Sequence, residues 1–170
     1  VKAYYNRGVA YLHLGQYQRA IEDYDEAIRL NPQDAEAYYN RGVAYWYLGQ
    51  YQLAMQDFDE AIRLNPKYAE AYYNRGVAYL HLGQHERAIE DYDEAIKLDP
   101  QHANAYYNRG LSRCYQGQYE QARQEFDEAI KIDSRRVNFY VARGRMHQLL
   151  GKSTEAERDF QRAKELGYTP

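Results

Sequence analysis

The chain has 170 residues, of which 45% are apolar and 28% are charged, and its net charge at pH 7 is -3. No apolar run approaches the roughly 20 residues needed to cross a bilayer, and a pI near 6.0 argues against a nucleic acid as partner. The single cysteine, Cys114, excludes an internal disulfide and fits a reducing compartment, so we expect a cytoplasmic protein.

One octapeptide recurs along the chain with a spacing of 34 residues. Tyr-Tyr-Asn-Arg-Gly-Val-Ala-Tyr occurs at 4–11, 38–45 and 72–79, and drifted copies begin at Tyr106 and Tyr140. A fixed period of this size is typical of a solenoid, in which each unit buries its apolar face against its neighbours. We therefore predict one array over residues 1–170, built from repeats 1–34, 35–68, 69–102, 103–136 and 137–170.

Each repeat reads as two amphipathic helices. In the first repeat, small and apolar residues follow helical spacing from Ala3 to Leu14 and again from Ala20 to Ile28. The pair Gly15-Gln16 breaks the first helix, and an Asn-Pro pair at 31–32 ends the second, because proline cannot continue a helix. Asp34 is suited to cap the next helix.

Small and aromatic residues predict how the helices pack. A glycine and an alanine recur in every repeat, at Gly8 and Ala20 in the first, where two helices need to approach closely. The aromatic residue at Tyr24 and its counterparts is then expected to fill the space between hairpins. The acidic run around Asp23 and Asp25 is interpreted as a solvated outer face.

The second repeat carries the complete pattern on which a family resemblance depends. The chain resembles the tetratricopeptide repeat family, whose pattern is an aromatic, leucine-glycine, tyrosine, alanine, an aromatic, alanine and proline. Arginine replaces the leucine before glycine in all five repeats, and we expect it to pair with an acidic residue of the neighbouring helix. The matching residues are Tyr38, Arg41, Gly42, Tyr45, Ala54, Phe58, Ala61 and Pro66.

The resemblance implies an all-α solenoid of five helix-turn-helix hairpins forming a right-handed superhelix, with the first helices lining a concave groove. The later repeats depart from the pattern. In the fifth, Glu157 and Lys164 stand at apolar positions and Tyr168 replaces the proline, which is typical of a terminal cap.

Residues of the first helices that packing does not use are the predicted binding site. A row of asparagines can grip the C=O and N–H groups of an extended peptide, as asparagine ladders in some family members do, and neighbouring aromatics supply contact area. The alternative is that each amide satisfies a neighbouring helix. The predicted peptide-binding residues are Asn6, Asn40, Asn74, Asn108, Tyr5, Tyr39, Tyr73, Tyr107, Trp46 and Tyr47.

No pattern indicates an enzyme, a cofactor or a metal. His13 and His81 lie two repeats apart, and the remaining histidines lack ligands at metal-binding spacing. The carboxylate-binding clamp of co-chaperone members requires a lysine and an asparagine where this chain has Tyr5 and Val9, and a lysine/arginine pair where it has Glu70 and Asn74, so we do not expect it. The sequence thus predicts a non-catalytic scaffold that binds a protein or peptide, with neither nucleic acid nor membrane as partner.

Two alternatives stay open at this stage. Residues 1–102 carry a net charge of -6 and residues 103–170 a net charge of +3, so the array is also compatible with head-to-tail self-association. The first and third repeats share 27 of 34 residues, which fits recent duplication or consensus design. An excised or consensus array without a ligand of its own is the second alternative.

Overall fold

A computed structural model describes residues 1–169, which form ten α-helices and no strand. Each predicted repeat contributes two helices, so the prediction of an all-α fold made of helical hairpins is confirmed. The helices are α1 Lys2–His13, α2 Tyr17–Leu30, α3 Ala35–Tyr47, α4 Tyr51–Leu64, α5 Ala69–His81, α6 His85–Leu98, α7 Ala103–Tyr115, α8 Tyr119–Ile132, α9 Val137–Leu149 and α10 Ser153–Glu165.

The helices group into two compact units. The N-terminal unit is Val1–Leu82 and holds α1 to α5, while the C-terminal unit begins at Gly83 and holds α6 to α10. Within each unit, every helix packs against the next one in the chain. The continuity of a single array across both units stays a prediction. None of the helices in residues 1–169 is both long and apolar enough to cross a membrane.

A glycine turn ends the first helix of each hairpin, as predicted. Gly15 adopts a φ of 70°, a left-handed conformation that glycine enters without a side-chain clash. The backbone N–H of Gln16 then donates to the carbonyl of Tyr11, which satisfies an orphan carbonyl at the helix end. Because this short turn reverses the direction of the chain, α1 and α2 pack against each other.

The second connection uses proline and a cap. Asn31 is extended, with a φ of -143°, because the following Pro32 disfavours helical geometry before it. Asp34 then accepts a hydrogen bond from the backbone N–H of Ala37 at 3.2 Å, so the predicted cap of α3 is confirmed.

The predicted close approach of two helices is observed at the glycine, and the aromatic ring that was expected between hairpins packs on this glycine within one hairpin. A Cβ atom added at Gly42 would lie 2.8 Å from Phe58 Cε1, and one added at Gly8 would lie 2.8 Å from Tyr24 Cε1. Both aromatic rings are fully buried, at 1% and 0% exposure. Glycine is therefore required at this position because the ring of the second helix packs directly on the backbone of the first.

Arginine ion pairs join consecutive helices. Arg41 donates through Nε and Nη2 to both carboxylate oxygens of Asp57, at 2.8 and 2.6 Å, and through Nη1 to Asp25 at 2.6 Å. It thus bridges the second helices of its own repeat and of the preceding one. Arg143 makes the same two contacts, with Asp159 and Asp127, in the C-terminal unit. The predicted ion pair is confirmed, and it is bidentate.

The expectation that the whole acidic run faces solvent was wrong. Asp23 is only 4% exposed and receives two bonds from Arg7, at 2.7 and 2.6 Å, whereas Asp25 is exposed. Residues two apart on a helix point about 200° apart, so one aspartate faces the adjacent helix and the other faces out. Asp57 and Asp159 occupy the same buried position in their repeats.

Candidate binding surface

The first helices of successive hairpins lie side by side in the N-terminal unit. Helix α3 contacts α1 on one side and α5 on the other. Their side chains form what we call the first-helix surface, namely the residues of α1, α3 and α5 that line the two pockets described below. This neighbourhood brings several of the predicted binding residues together, although they are far apart in the sequence.

Asparagine and tyrosine side chains pair from one repeat to the next. Asn40 Nδ2 donates to the hydroxyl of Tyr5 at 3.1 Å, and Asn74 Nδ2 donates to the hydroxyl of Tyr39 at 2.8 Å. Tyr5 in turn donates to Glu36 Oε2 at 3.0 Å. Each amide therefore uses one N–H within the fold, and the spacing of 35 residues in both pairs makes the contact a property of the repeat.

Burial raises the pKa of these two tyrosine hydroxyls further above neutral pH. Desolvation raises the pKa of Tyr5 to about 12, with further contributions from the hydrogen bond to Glu36 and its charge. Desolvation also raises the pKa of Tyr39 to about 12, against the opposing effect of the bond from Asn74. Near neutral pH both hydroxyls thus accept from an asparagine and still carry a proton to donate.

Aromatic rings line the C-terminal ends of the first helices. Tyr47 is 61% exposed, and its ring stacks on Tyr17 with centroids 4.8 Å apart and planes 6° apart. Trp46 packs against Tyr51 at 4.6 Å and meets His81 edge-on at 5.5 Å. Sequence reasoning missed Tyr17 and Tyr51, although they occupy equivalent positions directly after the glycine turn.

Two pockets open on the first-helix surface. The first, pocket A, has a volume of about 280 Å³ and contains four predicted residues, Tyr39, Trp46, Tyr47 and Asn74. Its remaining lining residues are Val43, Phe58, Glu70 and Val77. The second, pocket B, has a volume of about 570 Å³ and is lined by Leu12, His13, Leu14, Gly15, Tyr17, Val43 and Tyr47.

Four family profiles match the chain, described as tetratricopeptide repeat for residues 1–34, 39–103 and 91–124 and as TPR repeat for residues 110–151. The chain belongs to the tetratricopeptide repeat (TPR) family. Proteins built on TPR repeats are generally non-catalytic scaffolds that bind protein or peptide partners, and the chain has the fold of such a protein-interaction scaffold.

Solved TPR structures share the fold over nearly the whole chain. MamA 41-end from Desulfovibrio magneticus RS-1 is 27% identical, with a TM-score of 0.89 and coverage of 97% of this chain and 93% of that one. A MamA RS-1 double mutant has the same identity and coverage, with a TM-score of 0.90. No curated protein sequence matches the chain.

A third solved structure is more distant in sequence. YrrB, described as a TPR protein with an unusual peptide-binding site, is 21% identical, with a TM-score of 0.80 and coverage of 96% of this chain and 84% of that one. At this identity the likeness shows that the two chains share the TPR fold.

The other predicted residues of the TPR repeats lie outside pocket A. Asn6 is exposed and its side chain makes no hydrogen bond with the residues that the structure describes, while Tyr73 is half-buried. In the C-terminal unit, Asn108 is half-buried, and the Tyr107 ring packs on Phe126 with centroids 5.6 Å apart. A binding role for all ten predicted residues stays a prediction.

Titratable side chains give no sign of a metal centre in this part of the molecule. Within residues 1–169, no three histidine, cysteine, aspartate or glutamate side chains are grouped to hold a metal ion. Cys114 is half-buried against Met146, with the two sulfurs 3.3 Å apart, and burial raises the pKa of its thiol to about 11. The thiol is thus held in its unreactive, protonated form.

Proposed function

We propose that the first-helix surface binds an extended segment of a partner protein. The observation that carries the proposal is the meeting of Tyr39, Trp46, Tyr47 and Asn74 in pocket A. This pocket combines a small number of polar groups with aromatic walls, which is the usual composition of a recognition site. A segment laid across α1, α3 and α5 would meet both open pockets in turn.

The asparagines hold the peptide backbone in this proposal. The amides of Asn40 and Asn74 each give one N–H to a tyrosine, which fixes their orientation. Each amide has a second N–H and a carbonyl oxygen with which to meet a peptide unit. One such hydrogen bond stabilises a complex by only about 0.5–1.5 kcal/mol, so binding requires several repeats to act together.

Aromatic residues supply the side-chain contacts of the proposed site. Tyr47 presents an exposed ring that is already stacked on Tyr17, so little side-chain entropy is lost when a ligand covers it. Trp46 is likewise fixed by packing against Tyr51 and His81, whose rings also contact each other. Rigid aromatic residues of this kind dominate the binding energy of many interfaces.

The test is binding to a broad array of extended peptides by three proteins. These are the wild type, the double variant Asn40→Ala/Asn74→Ala, and the matched control Tyr5→Phe/Tyr39→Phe. The control removes the same two inter-repeat hydrogen bonds, together with the bond from Tyr5 to Glu36, but keeps both amides. Helicity and melting temperature are measured for each protein, so that loss of fold is separated from loss of binding.

We expect the alanine variant to lose peptides that the wild type binds and the phenylalanine variant to bind them more weakly without losing them, because it keeps both amides but not the hydroxyls that orient them. Equal loss in both variants would mean that the pairs act only by holding the helices. A wild type that binds no peptide in the array would contradict the proposal as a whole.

The contacts disfavour the alternative of head-to-tail stacking in the repeat register. Within the chain, the second helix of one repeat offers the next repeat an aspartate for its arginine, as Asp25 does for Arg41. The fifth repeat has Gln161 at that position. Exposed Lys164 replaces the isoleucine of all four earlier repeats, and exposed Glu157 replaces the Ile or Met of the first three. A second copy placed there would lose the ion pair and bury two charges.

A further inference from the structure

The C-terminal unit contains an enlarged counterpart of pocket A. This pocket C lies between α7 and α9 over Phe126, at repeat positions that correspond to those of pocket A, and has a volume of about 650 Å³ against about 280 Å³. The larger volume lies within the range of about 300–1,000 Å³ that is usual for ligand pockets. Its lining residues are Tyr107, Leu111, Cys114, Tyr115, Tyr119, Phe126, Val137, Asn138, Val141, Ala142, Arg145, Met146, Leu149 and Tyr168.

Two substitutions between equivalent positions contribute to the extra space. Cys114 stands where pocket A has Trp46, and Ala142 stands where pocket A has Asn74. Both replacements shorten the side chain. Because alanine has no amide, the hydroxyl of Tyr107 lacks the asparagine donor that Tyr39 has, and it makes no hydrogen bond with the residues that the structure describes.

The charge at the rim of the pocket is also reversed. Pocket A carries Glu70, whereas the equivalent position in pocket C is the neutral Asn138. Arg145 replaces Val77 and is the only charged residue among those that line pocket C. It is exposed and forms no ion pair within residues 1–169. Its positive charge is therefore available to pair with an acidic group of a binding partner.

We propose that pocket C takes a bulky apolar side chain, aromatic or long aliphatic, from a peptide segment whose neighbouring aspartate or glutamate pairs with Arg145. This inference rests on the proposed function and names the chemistry of the partner. The apolar floor of Phe126, Leu111 and Met146 supplies the driving force. Arg145 selects acidic segments over neutral ones.

The test uses fluorescence anisotropy with short capped glycine-serine peptides. The probe carries one phenylalanine flanked by aspartates, and two control peptides replace the phenylalanine by alanine or the aspartates by asparagine. We expect the wild type to bind the probe about ten-fold more tightly than the alanine peptide, because the pocket removes the apolar phenylalanine ring from water. The preference over the asparagine peptide is expected to be about two- to five-fold.

Three protein variants locate the binding. Cys114→Trp, which introduces the residue of pocket A, should abolish the preference for phenylalanine, and Ala142→Asn should weaken it. Arg145→Val should remove the preference for aspartate. Arg158→Val changes the net charge equally on an exposed arginine of α10 and should leave both preferences intact. Circular dichroism and melting temperature establish that each variant is folded.

Equal affinity of the wild type for the phenylalanine and alanine peptides would overturn the inference. The inference would also be overturned if Arg145→Val kept the preference for aspartate, as Arg158→Val is expected to do. It would likewise be overturned if the folded variants Cys114→Trp and Ala142→Asn both kept the preference for phenylalanine. If array peptides still depend on Asn40 and Asn74 in any of these cases, the proposed function survives. Array peptides could instead bind equally well with and without the amides of Asn40 and Asn74 while the probe behaves as expected. That result would support the inference about pocket C and contradict the proposal that the asparagines hold the peptide backbone.

Discussion

Replacing Arg41 by methionine is expected to destabilise the N-terminal unit strongly. Methionine keeps much of the aliphatic length but leaves the carboxylate of Asp57 without its bidentate partner. The Asp57 side chain is only 6% exposed, and breaking a buried ion pair from one side costs about 3–5 kcal/mol. The lost contact with Asp25, whose side chain is 50% exposed, adds at most about 1 kcal/mol.

The assay is urea unfolding followed by circular dichroism and by the fluorescence of Trp46, the only tryptophan. Thermal unfolding is a second measurement, since for a chain of this length a loss of 3–5 kcal/mol in unfolding free energy lowers the melting temperature by about 6–20 °C. The double variant Arg41→Met/Asp57→Asn should recover much of the loss, because the buried charge is gone. A single variant that costs less than about 1 kcal/mol, or a double variant with no recovery, would refute the reasoning.

Three further substitutions test separate contacts. Gly42→Ala should destabilise by about 1–3 kcal/mol, because the added Cβ would lie 2.8 Å from Phe58 Cε1, and urea unfolding measures the loss. Asn74→Ala should cost about 0.5–1.5 kcal/mol by the same assay, since it removes the donor to Tyr39. His147→Gln should reduce the dependence of the melting temperature on pH, because burial lowers the pKa of His147 in the folded state.

The sign of the pH effect follows from that lowered pKa. The unfolded chain binds the proton more readily than the folded one, so the wild type loses stability as the pH falls below the ordinary histidine pKa of about 6.5. The melting temperature of the wild type minus that of His147→Gln should therefore be larger near pH 7.5 than near pH 5. A constant or reversed difference would contradict the pKa shift.

Local chemistry made most of the fold predictable from the sequence. The left-handed glycine at Gly15 and the cap at Asp34 each depend on residues only a few positions away. The pairing of Arg41 was also predictable, because a charged residue beside a packing glycine needs an acidic partner. Because these signals recur every 34 residues, the number of hairpins could also be predicted from the sequence.

The side-chain pairing on the first-helix surface was harder to predict. Asn40 can serve a peptide or a neighbouring helix, and its contact with Tyr5 depends on how far apart α1 and α3 lie, which sequence spacing does not state. Asp23 and Asp25 were treated as one acidic face, although helical geometry places them on different sides. Pocket C was not predicted, because it depends on smaller residues, Cys114 and Ala142, at positions where pocket A has Trp46 and Asn74.

The most direct test of the central claim is an NMR titration of the isotope-labelled protein with the strongest peptide from the array. We predict that the side-chain amide resonances of Asn40 and Asn74, together with the indole of Trp46, shift in step with peptide concentration and saturate at the binding stoichiometry. Shifts confined to the exposed faces of α2 and α4, with the three side chains unaffected, would contradict the account.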